Sequence, residues 1–568
     1  MLLSKVAIKN YRCFADVEVD LDKTTVIIGE NNSGKTSFLE AIRTCLSRSA
    51  TRQSGVFDDY DRHLPSAAAQ LNQSGDLSIK LCFVLGEDTS EEVVQGLSEA
   101  IVFDDHGTQR INLEVTSKFE PAIKDFINDW YFLDDTGKPL GPKAKKPQLL
   151  GTLCQFSPLF YLSALRDATK EFQARSPFWS PFLKNTNISE EDRVRVQNSL
   201  NELNSEVLKT HASLAAVKDR LAKVQHVVSS GNAGAVDIEA LPGRITDLLS
   251  RTQINIVGST GASLPLNRHG AGTQSLAVIF LFEAFAATML AEQYDPQSRP
   301  LLALEEPEAH LHPCAIRNLW TALDAIAGQK IIATHSGDLL SKVPLLSVRR
   351  FSRENGIVTV RKLEASTLND EELRKVEFHL RSTRGELLFA RCWLLGEGES
   401  EYWVFSGVAE LIGHDLDRLG IRIVSYQQCG IRSFLKVANS LGIAWFAATD
   451  GDQQGQKDKS TCVSLLNGKQ PDVHIKLLDQ DNIELLLCVE GFGEIFEGYV
   501  SDQKRPQITE QPGSLPYWKQ VLKARDDTPK PAVLLKVLDE MRSRGVNSIP
   551  AALKTVIDSA VLLAESQA

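Results

Sequence analysis

The residues of this chain able to do chemistry lie in separate stretches. Gly29-Glu30-Asn31-Asn32-Ser33-Gly34-Lys35-Thr36 places two glycines, a lysine and a hydroxyl residue at the spacing of a phosphate loop. In such a loop the backbone N–H groups around Gly29, Asn32 and Gly34 turn toward phosphate oxygens, Lys35 reaches the β- and γ-phosphates of ATP, and Thr36 ligates Mg²⁺. The adjacent carboxylates Glu305 and Glu306 supply what hydrolysis beside that metal needs. Glu305 would hold the ion through water, and Glu306 would orient or deprotonate the attacking water. His335 is spaced to contact the γ-phosphate, although alone it would read as a satisfied histidine at a strand end. Elsewhere, Glu397 and Glu401 in Gly396-Glu397-Gly398-Glu399-Ser400-Glu401, with Asp450 and Asp452 in Asp450-Gly451-Asp452, form a hard-oxygen set suited to Mg²⁺, Mn²⁺ or Ca²⁺. Without a cation these carboxylates would repel one another.

Such residues act only where strands and helices bring them together. The β-rich run 24–28 leads into the phosphate loop and a helix-compatible run, 37–46, leads out. Residues 2–9 and 17–21 read as a hairpin before it. Arg12 between them either faces the nucleotide or sits as a solvated turn arginine. Alternation over 77–118 predicts an antiparallel flank. The run 137–147, with Lys138, Lys143, Lys145 and Lys146, reads as an exposed loop, and Gln155 stands where a nucleotide-sensing glutamine would couple Mg²⁺ to the rest of the protein. Apolar strands at 301–304 and 330–334 end at Glu305 and His335; strands at 392–395 and 443–449 end at the second acidic set.

Between 189 and 228 the texture changes. Leu200, Leu203, Val207, Leu214, Val217, Leu221, Val224 and Val228 fall on a/d heptad positions, with Thr210 in the one polar slot. Such a stripe needs a partner helix, and a dimerisation insert is favoured over an intramolecular bundle. Ser229-Ser230-Gly231-Asn232-Ala233-Gly234 then breaks it.

The 568 residues suffice for two to four domains with their own cores. Hydrophobic content of 43% and charged content of 24% are those of a globular protein. No apolar run reads as long enough to cross a bilayer, and the N-terminus lacks a signal core, so a cytoplasmic protein with no membrane partner is expected. Nine cysteines without a close C-x-x-C pair point to reduced thiols. The net charge of −11 argues against an indiscriminate nucleic-acid coat, though a local basic groove can coexist with acidic metal sites.

The ordered set from the phosphate loop to His335 resembles the ABC-type ATPase head of DNA-maintenance machines. The resemblance implies that Arg268-His269-Gly270-Ala271-Gly272-Thr273-Gln274-Ser275 is the signature element, with Gly272 and Gln274 docking on the phosphate of a second protomer. The usual serine of that signature is Ala271 when Gln274 is aligned. The second acidic set is similar to the topoisomerase-primase (TOPRIM) module: strand, E-G-x-x-E, helix, strand, D-x-D. Downstream, Glu484 offers a further metal ligand. By the same resemblance Lys554, otherwise an exposed helix lysine, would neutralise the scissile phosphate. Tyr402 lies at a helix start, where packing is the better reading than a topoisomerase nucleophile.

Together these features resemble the OLD-family (overcoming lysogenization defect) nucleases, which include the nuclease half of Gabija-type antiphage systems. The fold class implied is a multidomain α/β protein. An ABC-type ATPase head at 1–165 and 256–380 would be interrupted by a helical dimerisation insert at 166–255 and followed by a C-terminal TOPRIM domain at 385–568. The activity implied is ATP-linked, metal-dependent DNA nicking or cleavage by a homodimer or higher oligomer, with Glu397 serving catalysis as well as metal binding. A superfamily one helicase or another co-encoded defence partner would accompany it. The alternative is a DNA-binding ATPase clamp or scaffold in repair whose TOPRIM module does not cut; RNA as substrate is a third reading.

Overall fold

The computed structural model describes residues 1–47, 56–64, 69, 71–163, 189–210, 254–257, 263–288, 290, 294, 297–354, 356–383, 385–526 and 529–567. The first strands are β1 (Leu2–Tyr11), β2 (Phe14–Asp20) and β3 (Thr24–Gly29), followed by the helix Lys35–Cys45. Next come β4 (Leu77–Val84), β5 (Val102–Phe103), β6 (Gln109–Glu120), β7 (Asp125–Leu133) and β8 (Leu159–Leu162). A small hairpin, β9 (Asn255–Val257) and β10 (Ser263–Pro265), precedes β11 (Leu301–Glu305), β12 (Gln329–Ala333), β13 (Val348–Glu354) and β14 (Ile357–Lys362). The last strands are β15 (Cys392–Gly396), β16 (Ile421–Ser425), β17 (Ala444–Thr449) and β18 (Ile475–Leu477).

The head is built on two sheets. An antiparallel one runs β2-β1-β4-β6-β5, with β7 also on β6. Its strands alternate: Ile111, Leu113 and Val115 are fully buried while Asn112 and Glu114 face outward, as one covered face requires. The second runs β14-β13-β3-β12-β11-β8 and is parallel apart from the β13–β14 hairpin. Its inner strands are apolar runs because both faces are covered; Val26, Ile27 and Ile28 of β3 are all buried. The order places the ends of β3, β11 and β12 side by side, which brings together the phosphate loop, Glu305-Glu306 and His335.

The C-terminal sheet, β16-β15-β17-β18, is wholly parallel and covered by helices. Its central strands end at Gly396 and Thr449, just before the two acidic motifs. A parallel α/β sheet presents its ligands at these carboxyl ends. The expected organisation, an ABC-type ATPase head followed by a C-terminal TOPRIM α/β domain, is borne out.

Several expectations change. Helix Ala271–Thr288 does have the length and composition to cross a membrane, with a mean hydropathy of 1.3 over 18 residues. It is nevertheless a helix of the head: Val278, Ile279, Phe282 and Phe285 enter the core, and Phe160 packs against Phe282 and Phe285 with ring centres 5.2 and 5.5 Å apart. The lysines of 137–147 are partly committed to ion pairs, Lys145 with Asp129 at 2.6 Å and Lys146 with Glu99. Of the expected 166–255 insert, the helix Glu190–Thr210 is described together with 189, 254 and 255. Its Leu200 is buried and Leu203 half-exposed; Leu214, Val217, Leu221, Val224 and Val228 lie outside the described residues. None of the nine cysteines forms a disulfide.

Candidate functional site

The phosphate loop opens onto a cavity of about 640 Å³ lined by Asn31, Asn32, Gly34, Lys35, Thr36, Glu305, Glu306 and His335, with Arg12 and Arg353 on its rim. The helix Lys35–Cys45 starts at Gly34, whose left-handed backbone (φ 97°) turns the chain into the helix and aims the first amides at the cavity. Lys35 Nζ donates to the carbonyls of Gly29 (2.9 Å) and Glu30 (2.8 Å). Burial pushes its pKa down to about 8 against the pull of Glu306, Glu30 and Glu305.

Glu305, at the end of β11, accepts from the Thr36 hydroxyl on one oxygen and from the Tyr161 hydroxyl, 2.9 Å away, on the other. Glu306 follows in a left-handed conformation (φ 43°), its N–H bonded to Ala333 at 2.8 Å, and its carboxylate lies 3.8 Å from His335 Nε2. A non-glycine residue at positive φ carries strain, and Glu306 lines the cavity beside Glu305. His335 is held from behind by Glu308, which accepts from the Thr334 hydroxyl at 2.5 Å and the His335 N–H at 3.1 Å. Burial, then the proximity of Lys35, lowers the His335 pKa and favours the neutral ring. The cavity therefore offers a cation, a hydroxyl and two carboxylates in the arrangement ATP with Mg²⁺ requires.

Gly272 and Gln274 stand apart from this cavity. They lie in the first turn of helix Ala271–Thr288, where Gln274 Nε2 donates to His269 at 2.7 Å. A Cβ on Gly272 would fall 2.6 Å from the His310 carbonyl, so only glycine lets the helix approach that turn. Gln155 also stands apart, lining a separate cleft of about 680 Å³, because it sits on the exposed side of helix Pro147–Phe156. The side chain that reaches Glu305 is Tyr161, six residues on in β8. Arg12, of the two readings, lines the cavity and is paired with Glu40 and, at 2.8 Å, with Asp61.

The second site lies at the ends of β15 and β17. Glu401 is in the first turn of helix Glu399–Leu411 and accepts from the Gly398 N–H at 2.8 Å. Asp452 caps helix Gln453–Ser464 by accepting from the Gly455 N–H at 2.7 Å. A Cβ on Gly455 would lie 1.8 Å from the Asp450 carbonyl, so D-G-D-x-x-G is one packed turn. Glu484 enters from helix Ile483–Leu487 and accepts from Ser400 Oγ at 2.8 Å.

Crowding of negative charge is written in the titration of these groups. Burial, then Glu401, Glu397, Glu484 and Asp452, raise Asp450 to about 8; Glu397 is raised by burial and by Asp452 and Asp458; Glu401 is raised mainly by burial. For Glu484 burial is outweighed by Lys530 and Ser400, and its pKa falls. Lys530 Nζ is 3.0 Å from Glu484 Oε1, whereas Lys554, in the first turn of helix Ala551–Glu565, makes no ion pair with the described residues. Among the described residues no three His, Cys, Asp or Glu side chains are already close enough together to hold a metal ion. The set is all carboxylate, the donor type a hard divalent cation takes, and Asp450 feels the charge of Glu401, Glu397, Glu484 and Asp452.

Beyond the sequence reading, the structure adds Tyr161, Glu308, Lys530 and Asp458, the last of which faces Glu397, Asp452 and the buried Tyr426. The D-x-D motif could have pointed to Asp458, two helical turns on. Lys530, in Pro529-Lys530-Pro531, carried only the signal of a helix start.

Fold and sites define an ABC-type ATPase head joined to a TOPRIM domain, homologous to OLD-family ATPase–TOPRIM nucleases. Residues 1–386 match the family described as "Protein of unknown function (DUF2813)", to which the chain belongs, and residues 388–452 match "Overcoming lysogenization defect protein-like, TOPRIM domain". The chain is 28% identical over 583 aligned residues to "Uncharacterized protein YbjD" of Escherichia coli (strain K12), covering 100% of both. It is 23% identical over 500 residues to "Endonuclease GajA" of Bacillus cereus (strain VD045), covering 85% of this chain and 80% of that one. To "OLD nuclease" of Thermus scotoductus (strain ATCC 700910 / SA-01) it is 23% identical over 487 residues, 79% of this chain and 82% of the relative.

Proposed function

We propose that this protein is a divalent-metal-dependent DNA endonuclease that nicks or cleaves DNA under the control of its own ATPase head, in antiphage defence or DNA metabolism. The observation that carries this is the convergence of Glu397, Glu401, Asp450, Asp452 and Glu484 at one sheet edge, with Asp450 pushed up to about 8, in the same chain as an assembled phosphate-loop cavity. Names of relatives that include an endonuclease and an OLD nuclease support the substrate class.

Divalent cations at the carboxylates would activate water and stabilise the leaving oxygen of a phosphodiester. Glu397, Glu401, Asp450, Asp452 and Glu484 hold that charge in place. Lys530, already beside Glu484, offsets charge developing on the scissile phosphate, a role we assign to it rather than to Lys554. In the head, Gly29, Asn32, Gly34 and Lys35 cradle phosphates, Thr36 and Glu305 hold Mg²⁺, Glu306 orients water, and His335 meets the γ-phosphate. Gly272 and Gln274 sit outside the cavity of their own chain, so a second copy of this chain completes it. DNA is the substrate partner, and the family resemblance adds a co-encoded superfamily one helicase or other defence protein.

The test is nicking of supercoiled plasmid with Mg²⁺ or Mn²⁺, with and without ATP, beside Glu397→Ala and Lys35→Ala. Metal-dependent nicking lost in Glu397→Ala is expected. Intact plasmid under every condition would overturn the proposal.

A further inference from the structure

Glu30 belongs to the phosphate loop, yet its carboxylate points away from the nucleotide cavity. It forms a two-pronged ion pair with Arg391, Nε to Oε1 at 2.5 Å and Nη2 to Oε2 at 3.0 Å. Fork-to-carboxylate pairs of this kind fix orientation as well as distance. Arg391 is the residue immediately before β15, and Glu397 immediately follows that strand. The backbone of Arg391 ties the base of the sheet together: its N–H donates to Gly420 at the foot of β16 at 2.8 Å, and its carbonyl accepts from Ala444, the first residue of β17, at 3.0 Å.

The main-chain carbonyl of the same Glu30 accepts from Lys35 Nζ at 2.8 Å. One loop residue is thus held by the nucleotide-binding lysine through its backbone and by the TOPRIM sheet through its side chain. A second tie runs in parallel. Buried Arg350, opposite Ile28 in the β13–β3 register, donates to the carbonyls of Leu441 and Gly442 at 3.2 and 3.1 Å and of Ala390 at 3.0 Å. Its hydrogen bonds go to the TOPRIM side, while its charge also acts on Glu30. Between the ties lies a crevice of about 100 Å³, lined by Glu30, Arg350, Phe389 and Arg391, which gives the Glu30–Arg391 pair room to shift.

We propose that Glu30 and Arg391 are positioning residues that transmit the nucleotide state of the phosphate loop to the strand carrying Glu397. A phosphate taken up by the loop competes with the Gly29 and Glu30 carbonyls for the Lys35 ammonium. Once Lys35 turns to the phosphate, the Glu30 main chain is released, its carboxylate re-aims, and Arg391 shifts the feet of β15, β16 and β17 together. The ends of those strands carry the acids, so the spacing of Glu397 to Asp450 follows the state of the loop. This deepens the proposed function by naming how the head would govern the TOPRIM site, and in that sense rests on it.

The experiment is backbone hydrogen exchange of the full chain with and without the non-hydrolysable analogue AMP-PNP and Mg²⁺. In the wild type, protection of residues 35–45 should be accompanied by a change of about threefold or more in exchange at 392–396. In Arg391→Ala, and in the near-isosteric Glu30→Gln should Arg391→Ala fail to fold, protection of 35–45 should persist while the change at 392–396 disappears. An equal response at 392–396 in a folded variant, or no response in wild type whose 35–45 segment is protected, would overturn the proposal. Plasmid nicking reports separately: coupled exchange without any nicking would reject the nuclease reading and leave the lever standing.

Discussion

Lys530 Nζ and Glu484 Oε1 lie 3.0 Å apart, joining the start of helix Lys530–Arg544 to the acidic edge of the TOPRIM sheet. Glu484 is nearly buried and also accepts from Ser400, so the lysine is held where the acidic groups are most crowded. The two candidate lysines therefore separate cleanly by experiment. Lys530→Ala should lower the nicking rate by about a hundredfold, the cost of removing a charge aimed at a developing oxyanion, while Lys554→Ala stays within about twofold. Initial rates on supercoiled plasmid at saturating Mn²⁺ measure both.

Glu306→Gln keeps shape and loses the base. ATP turnover should fall by about a hundredfold with nucleotide affinity retained, so that ATP accumulates on the protein. If Gly272 and Gln274 of a second copy complete the cavity, this variant should become dimeric on adding ATP by light scattering. Adding Gly272→Ala should cancel the effect, because the new methyl meets the His310 carbonyl.

Tyr161→Phe removes one hydroxyl from Glu305 and leaves the ring. A hydrogen bond to a carboxylate is worth about 1.5–3 kcal/mol, part of which solvent restores at this half-buried site. The Mg²⁺ concentration giving half-maximal ATP turnover should rise by about threefold to tenfold, with little change in the unfolding temperature. Phosphate release across a Mg²⁺ titration checks this.

His474 is buried against Trp445, its Nδ1 2.8 Å from the Trp445 carbonyl, and burial depresses its pKa despite that contact. The unfolded chain, with an ordinary histidine pKa of about 6.5, then binds more protons than the folded chain as pH falls through that value. Its contribution is present above about pH 6.5 and is lost on acidification toward the depressed folded value. The unfolding midpoint should drop between about pH 6.5 and 5, and His474→Gln should flatten that drop; a slope unchanged by the substitution would count against it.

Much of this was legible in the sequence, for reasons that differ by site. Lys35 and Thr36 lie in one contiguous loop, and the E-G-x-x-E and D-x-D motifs each end a buried strand, so local spacing carried their placement. What spacing could not carry was sheet order. Tyr161 reaches Glu305 because β8 lies next to β11, although 144 residues separate them. Gln155, near it in sequence, faces another cleft. Lys530 and Lys554 stand near the starts of successive C-terminal helices and look alike in sequence; only the packing of the first on helix Glu399–Leu411 and of the second on β15 and β17 tells which one meets Glu484. In helix Ala271–Thr288, Thr273, Gln274 and Glu283 break the apolar run in the sequence, while the helix as a whole has the length and composition to cross a membrane.

Val26 and Ile28 of β3, Leu304 of β11, Trp393 and Leu395 of β15, and Trp445 of β17 belong to one continuous hydrophobic core. The ATPase and TOPRIM halves therefore share buried apolar surface. Separating them would open part of that surface to water. A mildly destabilising substitution anywhere in that core should lower the cellular level of both activities together. The fused chain fixes the ratio of the two halves at one to one.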